Sequence, residues 1–260
     1  MKLSNLISIN TWFSVGARRR PQGIYDWVFT PFSVAVGIWV IMAATLIIIT
    51  PWTLSVIFFS GIIALAFLTT GPFENSDVSK PSAFDIFFAL TSISVGIYFA
   101  IQAPTIVDRI VLLDELTNLD IVFGTLVFFL TLEITRRTTG LGLTFIVIFF
   151  VLYNLFGHHL SGVLQHGKID YLHFLEITVF TTDGIFGLPI RVAATYAFMF
   201  VMFGTVLHAC GGGDFFFKFA AAISGRSPGG PAKVAVISSG MYGMLSGSPT
   251  SDVVTTGSIT

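Results

Sequence analysis

A short run of small and polar residues near the end of the chain is the clearest candidate for chemistry: Ser246-Gly247-Ser248-Pro249-Thr250-Ser251-Asp252. The run interrupts an uncharged, largely apolar segment that begins at Val234, so it falls where a spanning helix should reach mid-depth. Irregular backbone at that depth must be shielded by protein or line a cavity. The hydroxyl oxygens of this run, and backbone carbonyl oxygens that make no helical hydrogen bond, can coordinate a dehydrated cation. The N-terminus of a nearby helix carries a partial positive charge and attracts a carboxylate. The run therefore predicts the binding site of a transporter.

The same residues allow a second interpretation. Ser239, Gly243 and Gly247 repeat at a four-residue spacing, which is typical of close helix packing. Packing accounts for Ser239 and Gly243 but leaves Pro249 and Asp252 unexplained. Asp252 has two possible roles that are compatible with each other. It can be an ionisable group within the membrane, which indicates function, and it can be the N-cap of the helix that follows.

The composition indicates a membrane protein. Of the 260 residues, 54% are hydrophobic and only 10% are charged, whereas soluble domains carry about 25% charged residues. A soluble globular protein and a disordered chain are both excluded. The formal net charge of -1 argues against nucleic acid as a partner. The single cysteine, Cys210, excludes an internal disulfide and a cysteine-rich metal site.

The hydrophobic pattern predicts an all-α polytopic membrane protein with about six spanning helices, because each uncharged stretch approaches the roughly 20 residues that cross a bilayer. The predicted spans are Trp27–Thr50, Thr53–Thr70, Ile86–Ala103, Leu119–Thr135, Thr138–Gly157 and Val192–Cys210. Pro51 should separate the first two spans, and Pro104 should end the third. Tyr171–Gly187 is predicted as an interfacial or half-inserted helix, and Asp214–Ser224 as a helix at the interface.

The basic residues favour an orientation with the N-terminus in the cytoplasm. The groups Arg18-Arg19-Arg20, Lys80 and Arg136-Arg137 all fall on the cytoplasmic side when six spans are threaded in order. Arg109 and Lys168 are exceptions, since both fall in outer loops. The N-terminal stretch does not have the order of a cleavable signal, because its basic triplet follows the apolar residues and no small-residue cleavage site comes after it.

Other candidate groups receive plainer interpretations. Glu133 with Arg136 and Arg137 has the spacing of an interfacial ion pair that anchors the fourth span. Gly211-Gly212-Gly213 matches no nucleotide-binding pattern and is predicted to stop a helix. A solvated outer loop, without the spacing of a metal site, is predicted for the histidines His158, His159, His166 and His173.

Several motifs of the C-terminal half carry a family resemblance: Leu132-Glu133-Ile134-Thr135-Arg136-Arg137, Tyr153-Asn154-Leu155-Phe156-Gly157, Thr181-Thr182-Asp183-Gly184-Ile185-Phe186-Gly187, Gly225-Arg226, Gly229-Gly230-Pro231-Ala232-Lys233-Val234-Ala235-Val236, Ser246-Gly247-Ser248 and Val253-Val254-Thr255-Thr256-Gly257. They resemble the large, DctM-like membrane subunit of the tripartite ATP-independent periplasmic (TRAP) transporters. The resemblance covers residues 119–260, and the four N-terminal spans resemble the small subunit by layout alone. Together they are similar to the fused form, in which the small subunit precedes the large one in one chain.

The resemblance implies transport rather than enzymatic catalysis: uptake of an organic acid driven by an ion gradient, usually of sodium, without a cofactor. An extracytoplasmic binding protein, of the TAXI class in fused members, would deliver the acid to the permease. Two re-entrant hairpins hold ions and substrate in the family, and Ser246, Gly247 and Ser248 match the tip of the first. Ser246 and Ser248 are then the expected sodium ligands, with Asp252 beside them. Pro249-Thr250-Ser251-Asp252 departs from the family pattern, which leaves sodium and proton coupling open.

The organisation implied by the resemblance has three parts in the inner (cytoplasmic) membrane: a cytoplasmic segment over residues 1–26, a four-helix scaffold over 27–135, and the start of the large subunit over 136–260. We expect the chain to be an N-terminal fragment that stops in the first hairpin and transports nothing alone. Two alternatives stay open. One is a non-transporting membrane scaffold or assembly subunit, which the spans alone would explain. The other is an intramembrane serine hydrolase, for which the chain offers only Ser246 and a distant His208.

Overall fold

The computed structural model describes residues 15–19, 23–225 and 228–246. Regular secondary structure in that part of the chain is helical, apart from one bridge between Arg18 and Thr70, so the predicted all-α fold is confirmed. The α-helices are α1 (Ile24–Thr45), α2 (Pro51–Thr69), α3 (Ala83–Val107), α4 (Asn118–Thr139), α5 (Leu141–Phe156), α6 (Tyr171–Val179), α7 (Leu188–Val192), α8 (Phe198–Ala209), α9 (Gly212–Ser224) and α10 (Gly230–Ser246).

Six of the described segments are long and apolar enough to cross a membrane, which agrees with the six predicted spans. They are Tyr25–Thr45, Pro51–Thr69, Ala83–Val107, Asn118–Thr139, Leu141–His159 and Leu188–Ala209. The span formed by α2 is the most buried of the six, whereas α1 and α5 turn most of their apolar surface outward. Such surfaces are stable only against lipid or another protein.

Proline has opposite effects at two positions. Pro51 is the first residue of α2, where its missing N–H would lack an intrahelical partner anyway. Thr50, just before it, is extended, as is usual for a residue before proline. α1 ends at Thr45, and not at the predicted Thr50. The prediction that Pro104 ends the third span is wrong, because α3 continues through it to Val107. A proline in the last turn removes a single backbone hydrogen bond, and the Asp108 amide still donates to the Pro104 carbonyl at 3.2 Å.

Two helices begin with the same side-chain arrangement. Ser82 precedes α3 and Thr117 precedes α4, and each hydroxyl accepts the backbone N–H of an aspartate three residues later, Asp85 or Asp120. Each carboxylate in turn accepts the backbone N–H of its capping residue. These capping boxes pair amides that a helix start otherwise leaves without partners, and they bring both carboxylates into the bundle, where both aspartates are buried.

The chain divides into two compact units, one running to Arg191 and the other starting at Val192. The core of the first unit lies where α2, α3, α4 and α6 meet. Phe186 packs edge-on against Trp52 and Phe59 of α2, with ring centroids 5.8 and 5.3 Å apart. α2 and α3 also exchange hydrogen bonds, since the Ser60 hydroxyl donates to the Ser92 carbonyl at 2.7 Å and the Ser92 hydroxyl donates to the Ser60 carbonyl at 3.0 Å.

The segment predicted as one helix over Tyr171–Gly187 is shorter in the structure. α6 has nine residues, which is about 14 Å and too short to cross a bilayer. The rest is a tight turn closed by the Ile185 amide, which donates to the Thr178 carbonyl at 2.7 Å. Glycine is required at Gly184, because a Cβ atom there would collide with the backbone of residues 177 and 178.

The second unit contains α8, α9 and α10. Tyr242 of α10 is buried, and its ring lies 6.3 Å from Phe216 of α9 and 6.5 Å from His208 of α8. Gly211, with a φ of 80°, ends α8 as predicted, whereas the two glycines after it begin α9. The predicted boundary between residues 135 and 136 separates the part that resembles the small subunit from the part that resembles the large one. It is a different kind of boundary from the one between the two compact units, and it stays a prediction.

Candidate functional site

The predicted hairpin tip lies at the edge of the described structure. Ser246 is the last residue of α10. Gly247, Ser248 and Asp252 lie outside the described residues. The proposal that these four residues bind an ion and a substrate therefore stays a prediction.

The Asp85 carboxylate is the centre of a buried ionic cluster at one end of the bundle. Its two oxygens accept hydrogen bonds from Nη1 of Arg19 and from Nη1 of Arg137, each at 2.5 Å. The Ser82 amide and hydroxyl donate to the same carboxylate at 2.9 and 2.8 Å. At most 2% of the Asp85, Arg19 and Arg137 side chains is exposed. Charges this deeply buried need partners of opposite sign, and here each has one.

The predicted ion pair of Glu133 with Arg136 and Arg137 is confirmed, and it joins this cluster. Glu133 accepts from Nε and Nη2 of Arg136 at 2.9 and 2.8 Å, and from Nε of Arg137 at 2.7 Å. The Arg137 guanidinium also lies over two aromatic rings, 4.9 Å from Phe67 and 5.5 Å from Phe88. Such stacking favours a cation in a dry environment. Arg137 thereby connects both carboxylates to the aromatic core.

The cluster also ties the segment before α1 to the helix ends. The amide of Gly16 donates to the Arg137 carbonyl at 2.8 Å, and the amide of Arg19 donates to the Thr69 carbonyl at 2.7 Å. The Gly71 amide donates back to the Ala17 carbonyl at 2.8 Å. With its carboxylates paired and its backbone bonded, this end of the bundle is suited to fix helix positions rather than to bind and release a solute.

A second buried ion pair lies at the other end of the same bundle. Nη2 of Arg109 donates to Oε1 of Glu176 at 3.2 Å and also to the Asp114 carbonyl, and the Leu112 amide donates to Glu176 at 3.1 Å. The Arg109 side chain is 10% exposed and that of Glu176 is 9% exposed. Basic residues are expected in the cytoplasmic loops, and Arg109 is an exception to that rule. The pairing explains the exception, because the carboxylate of Glu176 neutralises the positive charge of Arg109.

The histidine loop contains one well-defined interaction. Both ring nitrogens of His166 face carbonyl oxygens, that of Tyr153 at 2.9 Å and that of Gly167 at 2.6 Å. Because two acceptors favour a ring that carries two protons, the pKa of His166 is raised above its ordinary value. His158 and His159 stack on each other at 3.9 Å. Among the described residues, no group of three or more His, Cys, Asp or Glu side chains is placed to hold a metal ion.

Sequence reasoning missed Arg19 and Asp85 of the first cluster and the partnership of Arg109 with Glu176. A readable signal existed for Asp85, since Ser82-Ala83-Phe84-Asp85 has the spacing of a capping box. No local signal indicates its arginine partners, which lie 66 and 52 residues away along the chain.

Comparison with known families identifies a match to the C-terminal part of the chain. The family described as tripartite ATP-independent periplasmic transporter, DctM component, matches residues 126–260, which is slightly more than half of the chain. The matched region starts within α4 and contains Glu133, both arginines that follow it, and the whole of the second compact unit. No match was found among curated proteins or among solved structures.

Proposed function

Because the chain belongs to the DctM component family of the tripartite ATP-independent periplasmic transporters, we propose that it takes part in ion-driven uptake of an organic acid. The chain is a TRAP transporter membrane component with six apolar helices. We further propose that sodium is the coupling ion, that the N-terminus faces the cytoplasm from the inner membrane, and that the chain is not an enzyme. The partner is a periplasmic binding protein, and the TAXI class is the proposed type.

The observation that carries this proposal is the extent of the family match. It includes the segment from Gly229 to Gly257, where the most specific motifs of the chain lie. α10 runs from Gly230 to Ser246 inside this segment, so the serine-rich tip directly follows its last described turn. A helix that leads into small polar residues at membrane depth supplies the oxygen ligands that a desolvated cation requires.

The ion pairs of the first unit are a second, independent observation that supports the same proposal. Both described clusters at the bundle ends are paired and hold α3, α4 and α6 in place. A carrier needs a part that stays rigid in the membrane while another part moves its cargo. We propose that the first unit supplies that scaffold.

Uptake measurements test the proposal. The complete transporter, with its binding protein present, is reconstituted into proteoliposomes and supplied with a panel of radiolabelled mono- and dicarboxylates under a sodium or a proton gradient. We expect Ser246→Ala and Ser248→Ala to lower sodium-driven uptake roughly tenfold or more, because each removes one of few cation ligands. Asp252→Asn distinguishes the ions, since it should abolish uptake that is driven by protons and spare uptake that is driven by sodium.

Ser239→Ala is the matched control, because Ser239 is a half-buried serine of the same helix and is assigned to packing. Uptake that survives both Ser246→Ala and Ser248→Ala contradicts their role as ion ligands. A correctly inserted transporter that takes up none of the acids under either gradient supports the non-transporting scaffold instead. Covalent labelling of Ser246 by a fluorophosphonate probe would support the hydrolase.

A further inference from the structure

A cavity of about 480 Å³ lies in the first compact unit, at the end of the bundle opposite Asp85. It is bordered by the start of α2, the end of α3 and the turn after α6, so it lies where these helices leave the apolar layer. Its polar lining consists of Thr50, Trp52, Arg109, Thr181, Thr182, Asp183 and Arg191. The rest of the lining is apolar and includes Ile106 and Phe180. Apolar walls with a few polar groups are typical of sites that bind small molecules.

The Arg109 guanidinium is only partly satisfied. Its Nη2 atom bonds to Glu176 and to the Asp114 carbonyl. Nε and Nη1 are buried and have no acceptor in the part of the chain that the structure describes. The guanidinium carbon lies 5.8 Å from the centroid of the Phe180 ring, so that side of the group is apolar. Buried donors without partners are unfavourable, and charged ones most of all.

A second unpaired donor lines the same cavity. Nε1 of Trp52 is buried and has no acceptor among the described residues, although the rest of the ring is well packed against Phe99 and Phe186 at 5.8 Å. Indole and guanidinium N–H groups donate and never accept. Two residues from different parts of the chain therefore require the same kind of partner, a hydrogen-bond acceptor.

The two unpaired nitrogens of the Arg109 guanidinium favour an acceptor that is negatively charged. The formal charges balance, since Arg109 and Arg191 line the cavity with the carboxylate of Asp183, and Glu176 is bonded to Arg109. Glu176 balances Arg109 through Nη2 and leaves the other two nitrogens of that group for another partner. Arginine is suited to carboxylate and phosphate oxygens, to which it forms charge-assisted hydrogen bonds.

We propose that this cavity binds an anionic oxygen group, a carboxylate or a phosphate, with Arg109 and Trp52 as its donors. The guanidinium turns toward the ligand through Nε and Nη1 while Nη2 keeps its bond to Glu176. A free organic anion and a lipid headgroup both carry this chemistry. Ile110 and Leu113 follow Arg109 in the chain and are exposed and apolar, which a position near lipid headgroups would favour. The site contains none of the proposed ion ligands of the transport proposal, Ser246, Ser248 and Asp252.

Thermal unfolding of the purified 260-residue protein tests the site. Three probes are used at matched ionic strength: sodium acetate and sodium phosphate in detergent, and nanodiscs of phosphatidylcholine with or without phosphatidylglycerol. We expect at least one probe to raise the unfolding temperature by roughly 2–4 °C or more, increasing with its concentration. A response to acetate or phosphate identifies a free anion as the ligand, and a response to phosphatidylglycerol alone identifies a lipid headgroup. No response to any probe overturns the proposal.

Three variants distinguish an anion site from a structural arginine. Arg109→Gln should remove the response, and a full response in this variant also overturns the proposal. Glu176→Gln removes the ion pair but leaves Arg109 in place, so the response should persist or grow although the protein itself is less stable. Trp52→Phe keeps an aromatic ring but removes the indole N–H, and it should at least halve the response. If Arg109→Gln does not fold, Trp52→Phe decides, since an undiminished response there excludes Trp52 as a donor and contradicts the site as stated.

Discussion

The Asp85 carboxylate joins separate parts of the chain at one end of the bundle. It is fully buried and accepts hydrogen bonds from two arginines and from Ser82. Arg19 belongs to the segment before α1 and Arg137 to the end of α4, so one side chain holds three parts of the chain together. Desolvating such a carboxylate is unfavourable, and its full complement of donors offsets that cost.

Replacing Asp85 by asparagine should destabilise the protein strongly. Asp85→Asn removes the carboxylate that pairs with the buried guanidinium of Arg19 and leaves Arg137 paired with Glu133 alone. Breaking a buried ion pair in this way costs about 3–5 kcal/mol. The loss should appear as a lower unfolding temperature and a smaller monodisperse fraction of detergent-solubilised protein.

Asp120→Asn is the matched control for that change. Asp120 is also buried and is also the third residue of a helix with a capping box, but it bonds to Thr117 and the Tyr98 hydroxyl instead of to arginines. The loss here should be about 1–2 kcal/mol, since a cap and one hydrogen bond are weakened. Equal losses for the two variants would contradict the importance assigned to the arginine pairs.

Among the helices, the contact between α2 and α3 shows how two spans without charged partners are held together. Ser60 and Ser92 exchange hydroxyl-to-carbonyl hydrogen bonds across the contact, and Gly96, one turn after Ser92, lies against the Ser60 side chain. Small residues allow helix backbones to approach in membranes, where no hydrophobic effect drives the association. Two serines and one glycine therefore fix the contact between α2 and α3.

A methyl group added at Gly96 should separate these two helices. Its Cβ would come within 2.5 Å of the Cβ of Ser60, a short side chain that has no flexible end to move aside. We expect Gly96→Ala to destabilise the protein by about 1–3 kcal/mol, which is typical of overpacking. Thermal unfolding in detergent measures this effect.

Gly142→Ala provides the comparison. Gly142 is exposed on α5, and an added Cβ there would meet no atom within 4 Å. Because alanine has the higher helix propensity, this variant should unfold at the same temperature as the parent protein or a slightly higher one. A similar decrease for both variants would contradict the importance assigned to the contact between Gly96 and Ser60.

For the whole molecule, the order of the six spans determines which loops share a side of the membrane. With the N-terminus in the cytoplasm, an even number of spans returns the chain to the cytoplasm after Ala209. The Asp85 cluster then lies on the cytoplasmic side and the Arg109–Glu176 pair on the outer side, since they occupy opposite ends of the same helices.

The native cysteine tests this orientation directly. Cys210 is the only cysteine of the chain and is exposed just after the sixth span. A membrane-impermeant maleimide should label it in inside-out vesicles and leave it unlabelled in intact spheroplasts. In the double variant Cys210→Ala/Ser161→Cys the new cysteine lies in the exposed loop after α5, and we expect the opposite result. Labelling of Cys210 from the outside contradicts the orientation.

The amino-acid sequence by itself determined the membrane class, the six spans, the helix-ending role of Gly211 and the pairing of Glu133 with its two arginines. Each of these depends on composition, or on residues close together in the chain, where spacing and geometry are directly related. The same reasoning was wrong about Pro104, because a proline near a helix end removes only one hydrogen bond and leaves the turn intact.

The tertiary structure alone decided which residues meet across the bundle. Arg137 reaches Asp85 from 52 positions away, and Arg109 reaches Glu176 from 67 positions away. Sequence spacing contains no information about such pairs, because many helix arrangements bury the same apolar surface. Only the packing of α3 against α4 and α6 determines which buried charge faces which. The same packing left Arg109 and Trp52 with unpaired donors beside one cavity, a feature that neither residue reveals by its position in the chain.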